Sequence, residues 1–496
     1  MSDRKQGILL PVSSIPSEYG IGTFGKESYA FVDFLKKAGQ KIWQILPLGP
    51  TGYGASPYQS FSTFAGNPYL IDLEMLIEEG VLTKEECDAC DFGDNPEYID
   101  YEKQYNNRFK LLRIAFDRAL KAGLKTNQEF IGFLKKNKEW LEDYALYMSL
   151  KDLFPGKCYI EWDEDIRQRK PMAMAKYRRQ LEDEICYYKY IQFVFTKQWK
   201  ELKLYANKAG IEIVGDLPIY VAFDSADTWA NPELFQLDEE GMPIGVAGCP
   251  PDAFSETGQL WGNPLYRWEY HESTGFKWWI KRIEHCYELY DVLRIDHFRG
   301  FDEYWFVPYK DETAQNGHWE KGPGIRLFEA MERKLGKKKV IAEDLGFMTD
   351  GVINLLEESG YPGMKVLQFA FDAGPKGLYQ PHNYNANCVV YTGTHDNETT
   401  AGWLGGRNRG QLEYLYEYTG KKEGDNLCYE MIRMAAASVA DTAIIPMQDY
   451  LELGNEARIN TPSTLGDNWK WRMRKGAATD ELAGKIYRLT ELYNRV

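Results

Sequence analysis

The chain has 496 residues, 44% of them apolar, with 59 basic against 74 acidic side chains and a formal charge of −15; that length exceeds the usual single core, so it implies several domains or one large barrel with insertions. The acidic balance argues against a polyanionic partner, so no nucleic acid is expected, and no apolar stretch approaches the length that spans a bilayer. Neutral substrates stay open.

In chain order, eight short apolar runs read as buried strands: Gly7–Val12, Ile42–Leu46, Ile211–Gly215, Val292–Ile295, Val340–Ala342, Val366–Phe371, Val389–Thr392 and Ala443–Pro446. Helical spacing of apolar and charged residues separates several of them, over Lys26–Ala38, Phe276–Leu289, Ile325–Leu335 and Asp350–Ser359. Alternating strands and helices imply a parallel sheet, and eight strands suit a single closed (β/α)8 barrel spanning the chain. A doubly wound open sheet is the alternative; against it, no Gly-x-Gly-x-x-Gly follows the first strand.

Two connections are too long for plain crossovers. Residues 73–209 are Lys/Glu-rich, with helix-like apolar spacing over Phe109–Leu120 and Trp140–Leu153, and are expected to fold as a mainly helical subdomain between the second and third strands. Residues 223–276 are rich in Pro, Gly, Asp and Trp, the composition of a long ordered loop over the barrel mouth, where barrel enzymes place their chemistry.

The start, Met-Ser-Asp-Arg-Lys-Gln-Gly, runs into the first strand with no secretory apolar region, and the only glycosylation sequon, at Asn397, falls inside a motif treated below. Both favour a cytoplasmic chain. Cysteines are scattered singly except Cys87-Asp-Ala-Cys90, a lone CxxC with no second pair, so idle or buried thiols are expected rather than a metal site.

Three apolar runs end in carboxylates: Val-Leu-Arg-Ile-Asp296, Val-Ile-Ala-Glu343 and Val-Val-Tyr-Thr-Gly-Thr-His395-Asp396. A charge at the tip of a buried run costs free energy unless it has partners or a task. Paired carboxylates at a common rim are what glycosidic-bond chemistry requires. Arg294 and Asp296 stand two apart on one strand and point the same way, so Arg294 is expected to hold Asp296 ionised with a lowered pKa, as a nucleophile needs; a structural ion pair is the plainer alternative. Glu343 is expected to be the general acid, its pKa raised by burial or a neighbouring anion. Adjacent Asp344 is a rival candidate, and equally a capping carboxylate for the following helix.

His395 and Asp396 together would grip neighbouring sugar hydroxyls, and Asp216, another strand-tip acid, would orient Arg294. Aromatic platforms for a pyranose face are sought in Tyr58 and in Phe254, Trp261 and Tyr266. The run Gly20-Ile-Gly-Thr-Phe-Gly25-Lys26 nearly matches a phosphate-binding loop, but Glu27 stands where Ser or Thr should hold magnesium, which argues against nucleotide binding.

With these residues in hand, the chain resembles the 4-α-glucanotransferases (amylomaltases, or disproportionating enzymes) of glycoside hydrolase family 77, relatives of the α-amylases. The resemblance runs nearly end to end, through residues 19–25, Ser-Pro-Tyr-Gln at 56–59, 215–221, the loop 250–264, Arg-Ile-Asp-His-Phe-Arg-Gly at 294–300, 342–346, Thr-His-Asp-Asn at 394–397, Arg458-Ile-Asn460-Thr-Pro462 and Asn468-Trp-Lys-Trp-Arg. It implies Asp296 as nucleophile, Glu343 as acid/base and Asp396 as transition-state stabiliser. It places Arg294, His395, Asp216, Tyr58, Ser56, Phe254, Gln259, Trp261 and Asn460 among substrate-binding positions, with the 250–264 loop roofing the sugar subsites.

It further implies maltooligosaccharides and α-1,4-glucans as donor and acceptor, no cofactor or metal, and no C-terminal β-domain; separately from the resemblance, a monomer or weak homo-oligomer is expected. An α-glucan hydrolase and a non-catalytic glucan-binding barrel are the competing readings. Two departures from the family pattern stand out: Ala253 where the loop usually carries Tyr, and Ser463 where the terminal motif usually has Gly.

Overall fold

The computed structural model describes residues 4–52, 55–251, 255–346, 348–371, 376–464 and 466–496. Its strands are β1 (Lys5–Leu9), β2 (Ile42–Gln44), β3 (Glu212–Leu217), β4 (Gly245–Cys249), β5 (Gln259–Pro264), β6 (Val292–Ile295), β7 (Glu303–Pro308), β8 (His318–Lys321), β9 (Val340–Ala342), β10 (Gly363–Val366), β11 (Cys388–Tyr391) and β12 (Thr442–Pro446). Strands β1, β2, β3, β6, β9, β10, β11 and β12 form a closed parallel barrel. Closure joins β12 to β1, with Lys5 beside Thr442. Arg495 clasps this seam from below, its guanidinium donating to the carbonyls of Lys5, Ala436, Ser438, Ala440 and Asp441.

Strands covered by helices outside and packed side chains inside are buried on both faces, which explains their near-continuous Val, Ile and Leu. Ile42, Val214, Val292, Ile341, Met364 and Ile444 fill the barrel interior. A Cβ on Gly7 would come within 2.4 Å of the Ile42 Cβ, so glycine there lets Ile42 occupy the barrel floor. From this plug the period of two continues upward: Val214 leads to Asp216, Val292 to Arg294 and Asp296, Ile341 to Glu343. The acids therefore emerge on the inner side of the C-terminal rim.

Between β2 and β3 run the helices Tyr101–Lys121, Gln128–Leu153 and Glu182–Lys208, among shorter ones. Asp100 and Asn127 cap the first two by accepting from the N–H groups of Lys103 and Phe130, both at 3.0 Å. The latter two helices pack along each other through ring pairs such as Phe130–Phe193 at 5.4 Å. After β12 the described residues add helices, Met447–Tyr450 and Asp480–Leu492, and no further strand. No helix among the described residues is long and apolar enough to cross a membrane.

Two details differ from the sequence pattern. The apolar run Val366–Phe371 follows a strand rather than forming one: β10 ends at Val366, and Leu367–Phe369 is a 3-10 turn. It is apolar because Leu367 and Phe371 enter a separate core with Val390 and Trp403. Within 223–276, read as an ordered loop, the chain builds β4 and β5, which join β7 and β8 from beyond β6 in an antiparallel sheet of order β5-β4-β7-β8.

Candidate active site

Register decides which charges meet. Asp216 on β3 lies opposite Arg294 on β6, and Ile295 opposite Ala342 on β9. The ladder runs one residue further, since the Asp296 N–H donates to Leu217 O and the Glu343 N–H to Ile295 O, both at 3.0 Å. Asp296 and Glu343 thus stand at one level on neighbouring strands. Arg294 Nη1 lies 2.5 Å from Asp216 Oδ2 and 3.1 Å from Asp296 Oδ1. The Asp216 side chain is fully buried and Arg294 nearly so, while 26% of the Asp296 side chain stays exposed, so of the three it is the one that meets solvent.

Glu343 is gripped by backbone: His297 N–H donates to Oε2 at 2.7 Å and Leu345 N–H to Oε1 at 2.9 Å. His297 reaches back by taking a left-handed conformation, φ 50, at a cost of roughly 1–2 kcal/mol for a residue with a Cβ. Its imidazole is pushed down to about 3 by burial and the Arg299 charge, so it stays neutral.

Burial raises the Glu343 carboxyl, against the pull of Arg294 and the two N–H donors. Asp296 is raised as well. Burial is the main cause, and the charges of Asp216, Glu343 and Asp396 add to it, together outweighing Arg294. This corrects the expectation that Arg294 brings Asp296 below the ordinary range. Two carboxylates touch the guanidinium and the charges of Glu343 and Asp396 also bear on Asp296, so the cluster carries surplus negative charge and tends to keep a proton.

The third tip joins through Tyr58. Its hydroxyl donates to Asp216 Oδ2 at 2.6 Å and lies 2.9 Å from His395 Nε2, the two rings stacked at 5.4 Å. A hydroxyl has one proton to give, so His395 must donate from Nε2, and burial keeps that imidazole neutral. Asp396 Oδ2 lies 3.3 Å from the same nitrogen, and Oδ1 accepts from Asn460 Nδ2 at 2.6 Å. Arg458 donates to the Asp396 carbonyl at 2.7 Å, and Trp469 packs beside both Tyr58 and His395.

Of the remaining positions, Ser56 Oγ accepts from the Tyr58 N–H at 3.3 Å, tightening the turn that aims the tyrosine. Gln259 accepts from the Trp261 indole at 3.1 Å, and that indole stands edge-on to His297 at 4.8 Å, which brings β5 over the Glu343 side of the rim. Phe254 and Ala253 lie outside the described residues.

Tyr266 is no platform. It is fully buried, with its hydroxyl on Ile219 O at 2.7 Å. Asp344 does not cap the next helix; it accepts from the Met364 N–H of β10 at 2.6 Å, while Thr349 caps Asp350–Ser359. Against the Gly20–Lys26 loop sits the Asp72 carboxylate, which accepts from Thr23 at 2.5 Å and would meet any Cβ on Gly25. Ser463 takes φ 62, the conformation glycine favours. No group of His, Cys, Asp or Glu among the described residues is arranged to hold a metal ion.

His297, Arg458 and Trp469 have no singled-out part in the sequence reading. Arg458 and Trp469 lie in motifs already noted, but nothing local shows that they reach the barrel rim.

A family model described as 4-alpha-glucanotransferase, glycoside hydrolase family 77, matches residues 10–479. A 4-alpha-glucanotransferase of Clostridium butyricum is 51% identical, covering 98% of this chain and 99% of its own; one of Thermus thermophilus is 45% identical, covering 99% of each. Among solved structures, an amylomaltase of Streptococcus agalactiae in complex with acarbose superposes with a TM-score of 0.97 at 43% identity, over 99% of both chains. An amylomaltase of Corynebacterium glutamicum, 18% identical, shares the fold with a TM-score of 0.76 over 99% of this chain and 74% of that one. The chain belongs to the 4-α-glucanotransferases of glycoside hydrolase family 77.

Proposed function

We propose that Asp296 is the nucleophile, Glu343 the acid/base, and Asp396 with His395 the grip on the reacting sugar, as this enzyme moves α-1,4-glucan segments to the 4-hydroxyl of an acceptor. The observation that carries this is the common level of Asp296 and Glu343 on adjacent strands. Side by side at that level, the two carboxylates can flank one glycosidic bond from a single cleft, as double displacement through a covalent intermediate requires.

The cluster's surplus charge favours one retained proton between Asp296 and Glu343. The step assigned here has it on Glu343, with Asp296 ionised beside Arg294 at 3.1 Å. Asp296 attacks the anomeric carbon, the C1–O4 bond breaks, and Glu343 gives its proton to the departing oxygen. The N–H groups of His297 and Leu345 then stabilise the new Glu343 carboxylate. The acceptor's 4-hydroxyl loses its proton to Glu343 and attacks C1, releasing Asp296 with the original configuration. General acid–base help of this kind is worth about 10²–10⁴-fold.

Tyr58, Ser56, Asn460, Gln259, Trp261 and Phe254 are assigned to sugar contacts, and Asp216 to holding Arg294. The 223–276 segment, carrying Trp261, is assigned to covering the sugar so that an acceptor outcompetes water. The 73–209 insertion is assigned to bracing the region behind Tyr58: Gln192 pairs with both the N–H and the carbonyl of Gly66, at 2.7 and 2.8 Å. A cytoplasmic setting is supported by Asn397, whose side chain is turned inward onto Thr394.

Incubation with maltotriose is expected to give glucose and a ladder of longer maltooligosaccharides with reducing ends nearly constant. Reducing ends that climb steadily without a ladder would mean hydrolysis instead.

A further inference from the structure

Asp396 and His395 sit on the bend between β11 and the helix Thr400–Gly405. Both ends of that bend converge on one buried carboxylate. Asp449, on the short helix after β12, accepts from Thr392 Oγ1 at 2.5 Å and Thr400 Oγ1 at 2.7 Å through Oδ2, and from the Thr400 N–H at 2.7 Å through Oδ1. Asp449 is 1% exposed, and both threonines are fully buried. Among the described residues no cation pairs with Asp449. Three neutral donors hold it, so it is an expensive way to fill space where an apolar side chain would pack as well. What a carboxylate adds is three directed bonds that fix where the bend leaves the strand and where it enters the helix.

We propose that Asp449 is a positioning residue for transfer, setting the base of the bend so that Asp396 and His395 meet the sugar in register. The apex is held separately: Asn460 holds the Asp396 carboxylate and Arg458 its carbonyl, and both belong to a segment beyond the Asp449 helix. With the base loosened, the apex contacts no longer fix the distance from Asp396 to Arg294 and Asp296. The inference rests on the assignment of Asp396 to the reacting sugar.

The test is a kinetic cycle with maltotriose on the parent enzyme, Asp449→Asn, Asp396→Asn and the double variant, with thermal melts alongside. Asn keeps an acceptor for the Thr400 N–H but turns donor toward the threonine hydroxyls. The expected result is that Asp449→Asn lowers kcat about 10- to 100-fold with KM little changed, and adds almost nothing once Asp396 is already Asn. The same fold-loss in both backgrounds, or unchanged kcat in Asp449→Asn, would overturn the inference and leave the Asp396 assignment standing. Full activity in Asp396→Asn would remove that assignment and the inference with it. If Asp449→Asn fails to fold, Thr392→Val and Thr392→Ser decide. Loss of kcat in the first and its recovery in the second support the positioning role; equal kcat in the two refutes it.

Discussion

Strand β3 carries an acid at each end, and the two live in opposite charge regimes. At the bottom, Glu212 lies between two cations, Lys5 at 2.8 Å and Lys339. Burial works against its charge, but the lysines outweigh it and hold its pKa below the ordinary value. At the top, Asp216 shares one guanidinium with Asp296 in a group that also contains Glu343 and Asp396. A surplus of cations favours the carboxylate form, and that acid serves the fold. A surplus of carboxylates around one guanidinium instead favours a retained proton, the state that the proposed acid role of Glu343 needs. One barrel thus separates stability and chemistry by the ratio of charges at its two ends.

The largest effect that tests this contrast is at the top. Asp296→Asn is expected to lower transfer from maltotriose by roughly three or more orders of magnitude, with an unchanged far-UV spectrum and a melting temperature at least equal to the parent's. Near-normal turnover would remove Asp296 from the nucleophile's role.

Glu343→Gln sharpens the comparison through stability. A carboxyl whose folded pKa is raised binds protons more strongly folded than unfolded, so its presence weakens the fold as pH climbs above the ordinary value of about 4.3. The neutral variant should therefore melt a few degrees above the parent at pH 7, with the gap closing towards pH 4. A gap of the opposite sign would mean that Glu343 is stabilised as a carboxylate.

Glu212→Gln should behave in reverse. Its lowered pKa means that the charge contributes stability above the ordinary range and loses it as pH falls through the folded value. The variant should be less stable at pH 7, by about 1 kcal/mol or less, because the pair is a quarter exposed. It should approach the parent below about pH 4 and retain kcat. A fall in kcat comparable to that of a rim variant would erase the division between the ends. Smallest of all, Ser463→Gly relieves a positive φ and is expected to add up to about 1 kcal/mol in urea melts; a lower melting midpoint would show that the serine hydroxyl matters more than the backbone.

The barrel was legible because buried parallel strands are written as apolar runs, and because strand-tip acids such as Asp296 and Glu343 contradict their surroundings. What stayed hidden has physical reasons. β10, Gly-Met-Lys-Val, is less apolar than the turn that follows it, so the run pointed a few residues too far. β4 is two-fifths glycine and β8 is a polar edge strand, His-Trp-Glu-Lys, so neither shows the alternation that marks a sheet. The same limit holds in the site. Arg294 and Asp296 are readable as neighbours two apart, but His395 meets Tyr58 across the barrel, and Arg458 and Trp469 arrive from beyond β12. The pKa direction of Asp296 is not readable from the sequence, because one partner is adjacent in the chain while the opposing acids come from other strands.

The seam between β1 and β12 sets a timetable. Lys5 finds its partner only when Thr442 has been made, so at about 5–20 residues per second the first strand waits on the order of 20 to 90 seconds on the ribosome with one edge unpaired. Until then the nascent sheet is an open ribbon, prone to pairing with neighbouring chains. Slower translation of the last third should therefore raise misassembly without changing the finished enzyme.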